Sequence, residues 1–463
     1  INMSELIDQL LARARAAQKV VEFWSQEQVN EMILSVAWES YKLETAQKAA
    51  RMAVDETGLG VYEDKVAKHQ KKTLGVLRDL KDVKTVGVIE RVPEKGIVKI
   101  AKPVGVIGAI TPMTNSSSTM PCNGLPALAA RNAIIFAPHP RAKNTCKYVC
   151  EEMRKGLKKV GAPEDLVLYI EDPTIELSQE LMSKVDLVLA TGGQGVVKPA
   201  YSSGKPAYGV GAGNATIIVD ETADLPVTAA KICKGKIFDN ATSCSAENNI
   251  IIQEGIFDAL LEELKKTGGY LVTGEDRAKL KAAMWPDGHH LNGKLVCKSV
   301  KLIAGEAGIV VPEGTKFMMV LGEAIGPEDM YSAEKLSPIV TLWKYKEFSD
   351  AVQMVIDITA FSGYGHSCGI HSVNEDHIME LAHKAKVSRM MVRQAQSVGN
   401  SGDWENGMAF TMSLGCGTWG GNITTENITV KHMMNVTWVS YPIPLSIPNA
   451  DDLFAPHFAK YGK

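Results

Sequence analysis

Several features are missing from this chain of 463 residues. No apolar run approaches the roughly 18 residues needed to cross a bilayer, so no membrane span is expected. The start has no charged segment leading into an apolar one, the pattern of a secretory leader. Neither sign of charge is in excess. Fifty Lys and Arg against 53 Asp and Glu leave a net charge of −3, with no clustered basic surface of the kind that nucleic acid demands. None of the eight cysteines, Cys122, Cys146, Cys150, Cys233, Cys244, Cys297, Cys368 and Cys416, forms a Cys-x-x-Cys pair. Zinc and iron–sulfur ligation are therefore not expected. The chain's size and leaderless start favour a reducing cytoplasm over disulfides. No internal repeat or low-complexity segment is present. What remains is an ordinary globular composition, 45% hydrophobic and 22% charged. The length suits two or three domains.

The hydrophobic periodicity orders the chain. Ser4 is placed to cap a helix running toward Val21. Ser25 and Gln28 form a capping-box pattern ahead of Val29, Ile33 and Val36, which share one helical face. A further helix follows Gly60, through Lys65 to Leu80. Lys84–Ile89 and Gly96–Ala101 flank the turn Pro93-Glu94-Lys95-Gly96 and read as a β-hairpin. Strand and helix then alternate. Val104–Ile110, Ala133–Ala137, Leu187–Ala190 and Ala215–Val219 are strands, and Gly124–Arg131 and Thr145–Lys159 are helical. This alternation predicts an α/β fold with a doubly wound parallel sheet. A second α/β unit is expected from about Thr242. It has strands at Asn249–Gln253 and Ile339–Trp343 and helices near Phe257–Lys266 and Phe348–Asp357. The tail is β-like around Val436–Tyr441 and then a Pro-rich coil.

Two kinds of motif carry chemistry. A cysteine is by default a buried, inert side chain. Cys244, however, lies in Ala241-Thr242-Ser243-Cys244-Ser245-Ala246-Glu247-Asn248, a small polar run just before a strand, where its sulfur can meet a substrate. Thiolate attack on an aldehyde gives a thiohemiacetal, and loss of hydride from that carbon gives a thioester. The other motifs are glycine-rich. Ala190-Thr191-Gly192-Gly193-Gln194-Gly195 follows a strand and lets backbone N–H groups approach a pyrophosphate. Gly209-Val210-Gly211-Ala212-Gly213-Asn214 contains G-x-G, but a strand rather than a helix follows it.

Taken with Thr111-Pro112-Met113-Thr114-Asn115, Pro138-His139-Pro140-Arg141-Ala142, Gly365-His366 and Leu414-Gly415-Cys416-Gly417-Thr418-Trp419-Gly420-Gly421-Asn422, these stretches resemble the aldehyde dehydrogenase superfamily, specifically its coenzyme-A-acylating branch. The resemblance runs from about Ser4 to Tyr441. It implies three parts: a Rossmann-like cofactor domain at 1–240 with a protruding hairpin at about 84–102, an α/β catalytic domain at 241–420, and a small β oligomerisation element completed by the tail 421–463. It further implies a homodimer or homotetramer. Cys244 matches the family nucleophile. Asn115 matches the amide that, with the Cys244 backbone N–H, forms an oxyanion hole. Glu334 is similar to the Glu that holds the nicotinamide ribose. Thr111, Pro112, Thr114, His139, Arg141, Gly192, Gly193 and Leu336 are the other expected dinucleotide contacts. His366 is the candidate for orienting or deprotonating the incoming thiol.

One departure matters. Hydrolytic members carry Glu-Leu-Gly-Gly at the position of Gly209–Asn214, and that Glu activates water. From Gly209 to Gly213 this chain has only Gly, Ala and Val. Without that base water is a poor nucleophile, whereas the thiol of coenzyme A is a good one. The expected reaction is therefore aldehyde, NAD(P)+ and coenzyme A giving acyl-coenzyme A. A hydrolytic aldehyde dehydrogenase and a non-catalytic dinucleotide-binding protein are the rivals. Arg141 and Lys143 flank Ala142, where NAD-selective relatives place an acid, which leans toward NADP over NAD. Val61–Lys65 and Met391–Gln396 resemble branch members acting on sulfoacetaldehyde or succinate semialdehyde, with acetaldehyde a further alternative. Arg393 is the candidate partner for an anionic tail. Sulfoacetaldehyde is the leading expectation.

Overall fold

The computed structural model describes residues 2–463. Its first helices are α1 (Met3–Val21), α2 (Gln26–Tyr41), α3 (Leu43–Thr57) and α4 (Tyr62–Leu80). The capping box forms as the sequence predicts, with Gln28 N donating to Ser25 Oγ and Ser25 N to Gln28 Oε1. The cap of α1 differs from expectation: Asn2 Oδ1, not Ser4, accepts from Glu5 N at 2.8 Å. Either side chain is a good cap, and Asn2 stands two residues earlier.

After α4 come β1 (Gly87–Val92) and β2 (Ile97–Pro103), an antiparallel pair closed by a 3-10 turn at Pro93–Lys95. Gly96 sits just past this turn at φ 61°, a left-handed conformation that costs glycine little. The next five strands are β3 (Val106–Thr111), β4 (Ala133–Pro138), β5 (Val167–Tyr169), β6 (Leu187–Thr191) and β7 (Ala207–Val210). They form one parallel sheet in the order β5-β4-β3-β6-β7. Every residue of β3 and β4 is buried. This suits their unbroken apolar composition, because a parallel sheet is covered on both faces. α5 (Thr119–Ala129) and α6 (Lys143–Lys159) lie in this half. α5 begins five residues before the expected start at Gly124, and every residue in it is buried. Its apolar character is therefore all-round rather than periodic, so periodicity marks no boundary.

A second parallel sheet holds β8 (Ala215–Val219), β9 (Glu247–Gln253), β10 (Gly269–Leu271), β11 (Phe317–Leu321), β12 (Ile339–Tyr345), β13 (Gly365–His371) and β14 (Val387–Val392). Their order is β10-β11-β12-β9-β8-β13-β14. β8 pairs with β9 and β13. The expected division at residue 240 therefore moves back to the link 211–214, between β7 of one sheet and β8 of the other. Strand β8 and the helix Leu225–Ile237 read locally like more of the first unit, and only the pairing assigns them to the second. The upper limit at 420 is also too simple. Phe410, Ile428, Val430 and Met433 join the core of the first sheet, so the chain returns there before β15 (Met434–Ser440) adds to β2. The order β1-β2-β15 makes a separate three-stranded sheet. Beyond the Pro-rich coil the chain does not stay irregular. Asn449 caps a helix, Ala450–Tyr461, none of whose residues is buried. Among the described residues no helix is long and apolar enough to cross a membrane.

Candidate active site

In the first sheet the strand order reverses between β3 and β6, and a ligand crevice is expected beyond the carboxyl ends of these two strands. A cavity of about 370 Å³ lies there. Thr111, Pro112, Met113, Thr114 and Asn115, which continue β3, line it together with His139 after β4. So do Thr191, Gly192 and Gly193 after β6. Gly193 is the N-cap of the helix Gln194–Tyr201, so that helix presents its unpaired N–H groups here. An added Cβ at Gly193 or Gly195 would meet nothing within 4 Å, which leaves room for a diphosphate against the backbone.

The other wall comes from the amino ends of the second sheet. Gly213 precedes β8, Cys244 precedes β9, Glu334 and Leu336 precede β12, and His366 opens β13. Parallel pairing sets these ends side by side. Cys244, Glu334 and Leu336 line the same cavity as Thr111 and Gly192. Of the eight free cysteines, seven are buried and Cys244 alone keeps partial exposure. Its Sγ lies 3.1 Å from His366 Nε2, and His366 Nδ1 lies 2.8 Å from Ser367 Oγ. Burial pushes the thiol up to about 12 and the imidazole down to about 3. Both shifts favour a neutral pair at rest. In the tautomer whose Nδ1–H donates to Ser367 Oγ, Nε2 is left to accept the thiol proton. A Cβ on Gly213 would stand 2.1 Å from the Cys244 carbonyl oxygen and 3.1 Å from His366 Cγ, so the link between the sheets has no room for a side chain. Glu334 Oε2 accepts from Gly213 N at 3.1 Å, and burial pushes this carboxyl up to about 8.

The loop carrying Cys244 is held in a costly shape. Asp239, Asn240 and Ala241 have φ of 51°, 52° and 60°, and each left-handed residue with a Cβ costs on the order of 1–2 kcal/mol. The Asp239 carboxylate offsets this. It accepts from Val61 N at 2.7 Å, Lys65 Nζ at 3.0 Å, Lys68 Nζ at 2.5 Å and Thr242 Oγ1 at 2.7 Å. Chiefly through Lys68 and Lys65, its pKa stays below the usual carboxylate range despite desolvation. Both lysines lie on the inward face of α4, and nothing in the sequence alone assigns Lys68 a role. Only the position of Asp239 reveals their role.

Most of the expected residues meet here: Cys244, Asn115, Thr111, Pro112, Thr114, His139, Gly192, Gly193, Glu334 and Leu336 around the cavity, and His366 against the sulfur. Two do not line the cavity. Arg141 donates to Thr57 O at 2.7 Å, and its neighbour Lys143 pairs with Asp172. Arg393 lies beyond the carboxyl end of β14 and donates to Ser372 O at 2.8 Å. Ser372 is six residues along the chain from His366, roughly 20 Å at about 3.3 Å per residue. Arg393 is therefore at the wrong edge of the sheet to meet a substrate on Cys244. The guanidinium near the nucleophile is that of Arg389, which the sequence did not single out. It is buried and donates to His366 O at 3.0 Å, Thr425 O at 3.1 Å and Asn427 Oδ1 at 3.1 Å. These acceptors are uncharged, so its charge is not cancelled locally, and it favours the Cys244 thiolate.

Comparison with known proteins agrees with this arrangement. Residues 2–410 match the aldehyde dehydrogenase family. A sulfoacetaldehyde dehydrogenase of Acholeplasma is 48% identical over 448 residues, 96% of this chain and 92% of that protein. An acylating sulfoacetaldehyde dehydrogenase of Bilophila wadsworthia is 47% identical over 461 residues, 99% of each chain. Among solved structures, an acetylating aldehyde dehydrogenase of Geobacillus thermoglucosidasius superposes with a TM-score of 0.93 at 36% identity, covering 96% of this chain and 98% of that one. A propionaldehyde dehydrogenase of Rhodopseudomonas palustris with bound propionyl-CoA gives 0.85 at 29% identity, covering 94% of each. The chain therefore belongs to the aldehyde dehydrogenase family, in the branch that holds the acylating enzymes.

Proposed function

We propose that this protein oxidises a short aldehyde with an anionic tail, sulfoacetaldehyde first, to its acyl-coenzyme A. The observation that carries this reading is the contact between Cys244 Sγ and His366 Nε2 beside the crevice that Cys244 lines. As the thiol attacks the carbonyl carbon, its proton passes to His366 Nε2. The developing alkoxide is received by the Asn115 amide and the Cys244 backbone N–H, giving a thiohemiacetal. A bound nicotinamide dinucleotide would supply the hydride acceptor, and loss of hydride from the former carbonyl carbon leaves a thioester on Cys244. Thr111, Pro112, Thr114, His139, Gly192, Gly193, Glu334 and Leu336 are the residues placed to hold it. His366 gives that first proton up to solvent. The thiol of coenzyme A then attacks the thioester carbonyl and passes its proton to the freed Nε2; as the adduct collapses to acyl-coenzyme A, this proton goes to the departing sulfur and restores the Cys244 thiol.

Water is the rival acceptor. Among the described residues, Glu334 is the only carboxylate lining the cavity. Burial pushes it up toward the protonated form, and a protonated carboxyl cannot take a proton from water. An anionic tail is favoured by the two relatives named for sulfoacetaldehyde. For the cofactor, a lean toward NADP+ over NAD+ rests on Arg141 and Lys143. The Lys143–Asp172 pair is exposed and screened by water, so it can open toward a 2′-phosphate. A cytoplasmic homodimer or homotetramer fits the tail, where Trp438, Leu445, Ile447 and Leu453 are exposed.

The test is NAD(P)H release from sulfoacetaldehyde, succinate semialdehyde and acetaldehyde, with each dinucleotide, with and without coenzyme A. Without it, a burst of about one NAD(P)H per site is expected. With it, steady turnover to acyl-coenzyme A should follow, fastest for sulfoacetaldehyde. Rapid steady release of free acid without coenzyme A would make the enzyme hydrolytic. No NAD(P)H under any condition would leave a binding protein.

A further inference from the structure

From the geometry around Asn115 we infer that Lys68 is a positioning residue for the oxyanion hole, locking the Asn115 amide with its NH₂ turned toward the reacting carbonyl. The inference rests on the role proposed above for Asn115. An asparagine amide has an accepting end and a donating end of nearly the same shape, and it acts as an oxyanion donor only in one of two orientations. Asn115 stands between β3 and α5, its backbone carbonyl tied to Thr119 Oγ1 at 2.6 Å. That bond fixes the main chain and leaves the amide free to turn. Lys68 Nζ donates to Asn115 Oδ1 at 2.8 Å.

An ammonium has three donors and no acceptor. Lys68 therefore cannot bond the NH₂ end, and the flipped amide would set two N–H groups against three more. The other two ammonium hydrogens go to Asp239 Oδ2 at 2.5 Å and Thr242 Oγ1 at 3.0 Å. Lys68 itself is thus held at three points, 8% exposed. Among the described residues nothing in the protein accepts from Asn115 Nδ2, and Asn115 lines the cavity with Cys244. The same ammonium ties the amide to Asp239 and Thr242 of the nucleophile's loop, so donor and nucleophile share one fixed reference point. Lys65 provides an internal comparison. It bonds the same Asp239 carboxylate but reaches the Thr114 carbonyl at 3.2 Å rather than the Asn115 side chain.

A double-mutant cycle on the pre-steady-state NAD(P)H burst tests this. Lys68→Met should slow the burst by about 10- to 100-fold, no more than Asn115→Ala does alone. Lys68 also holds Asp239, so the rate of Cys244 alkylation by iodoacetamide in Lys68→Met reads any loosening of the nucleophile's loop separately. In the Asn115→Ala background Lys68→Met should cost no more than that alkylation loss, because the amide it orients is gone. Lys65→Met should cost the same in both backgrounds. Equal losses from Lys68→Met in both backgrounds, or a changed alkylation rate with no coupling to Asn115, would overturn the assignment while leaving Asn115 as donor. A silent Asn115→Ala would overturn both. If Lys68→Met does not fold, Lys68→Gln, which keeps one end able to donate to Oδ1, must show the same coupling with a smaller loss. Additive behaviour there rejects the inference equally.

Discussion

His366 Nε2 and Cys244 Sγ are 3.1 Å apart, yet they come from residues 122 positions apart in the chain. They meet because β9 and β13 flank β8 in one parallel sheet, so the residues ahead of β9 and at the start of β13 share its amino edge. If His366 takes the thiol proton, His366→Ala should lower the burst rate by about 10²–10⁴, the usual range for a lost general base. Dinucleotide binding, read by fluorescence titration, should be unchanged. A burst at wild-type speed would leave His366 a packing residue.

Cys244→Ala should abolish NAD(P)H formation altogether while the dinucleotide still binds, because hydride leaves only from the covalent adduct. Retained activity within about tenfold of wild type, a barrier change of about 1.4 kcal/mol, would move the nucleophile elsewhere.

The pH dependence follows from the directions of the two shifts. With the thiol pushed up to about 12 and the imidazole down to about 3, no thiolate–imidazolium pair exists at rest. The thiolate fraction should then grow about tenfold per pH unit through the neutral range. Iodoacetamide alkylation of the free enzyme should accordingly rise without a plateau from pH 6 to 9. A plateau near pH 6 would reveal a preformed ion pair.

Gly213→Ala should lose at least about 100-fold in kcat with little change in fold. The added methyl would stand 2.1 Å from the Cys244 carbonyl oxygen and 3.1 Å from His366 Cγ, and a shift of about 1 Å at reacting groups costs on that order. Circular dichroism with burst kinetics checks this. A fully active variant would show that the loop yields without moving the sulfur.

Arg393→Ala should alter kcat/KM for sulfoacetaldehyde and acetaldehyde alike by less than about twofold. Its partner is the Ser372 carbonyl, and the expected loss is one hydrogen bond of about 1 kcal/mol, visible only in thermal unfolding. A selective rise in KM for the anionic aldehyde would return Arg393 to the substrate.

Local order was largely legible in the residues. The Ser25–Gln28 box, the Pro93–Gly96 hairpin, the strand Ala215–Val219 and the helix Phe257–Lys266 each depend on neighbours within a few positions, and periodicity and turn chemistry report such neighbours directly. The small polar run and the glycine-rich turn brought Cys244 and Gly192–Gly193 forward, whereas Asn115, Glu334 and His366 came only from the resemblance to the aldehyde dehydrogenase family. Tertiary structure decided what depends on pairing. It moved β8 and the unit boundary to residues 211–214, since a strand's sheet is set by its partners and not by its composition. It sent Arg393 to the far edge and brought Arg389 near the nucleophile, four residues of a strand being the difference between the two ends of a sheet. It also buried Lys65 and Lys68 of α4 against Asp239. In the sequence they are charges at helical spacing. Only the carboxylate arriving from 171 residues away gives them a reason to leave water, because a buried ammonium is stable only where its hydrogen bonds and its counter-charge are already in place.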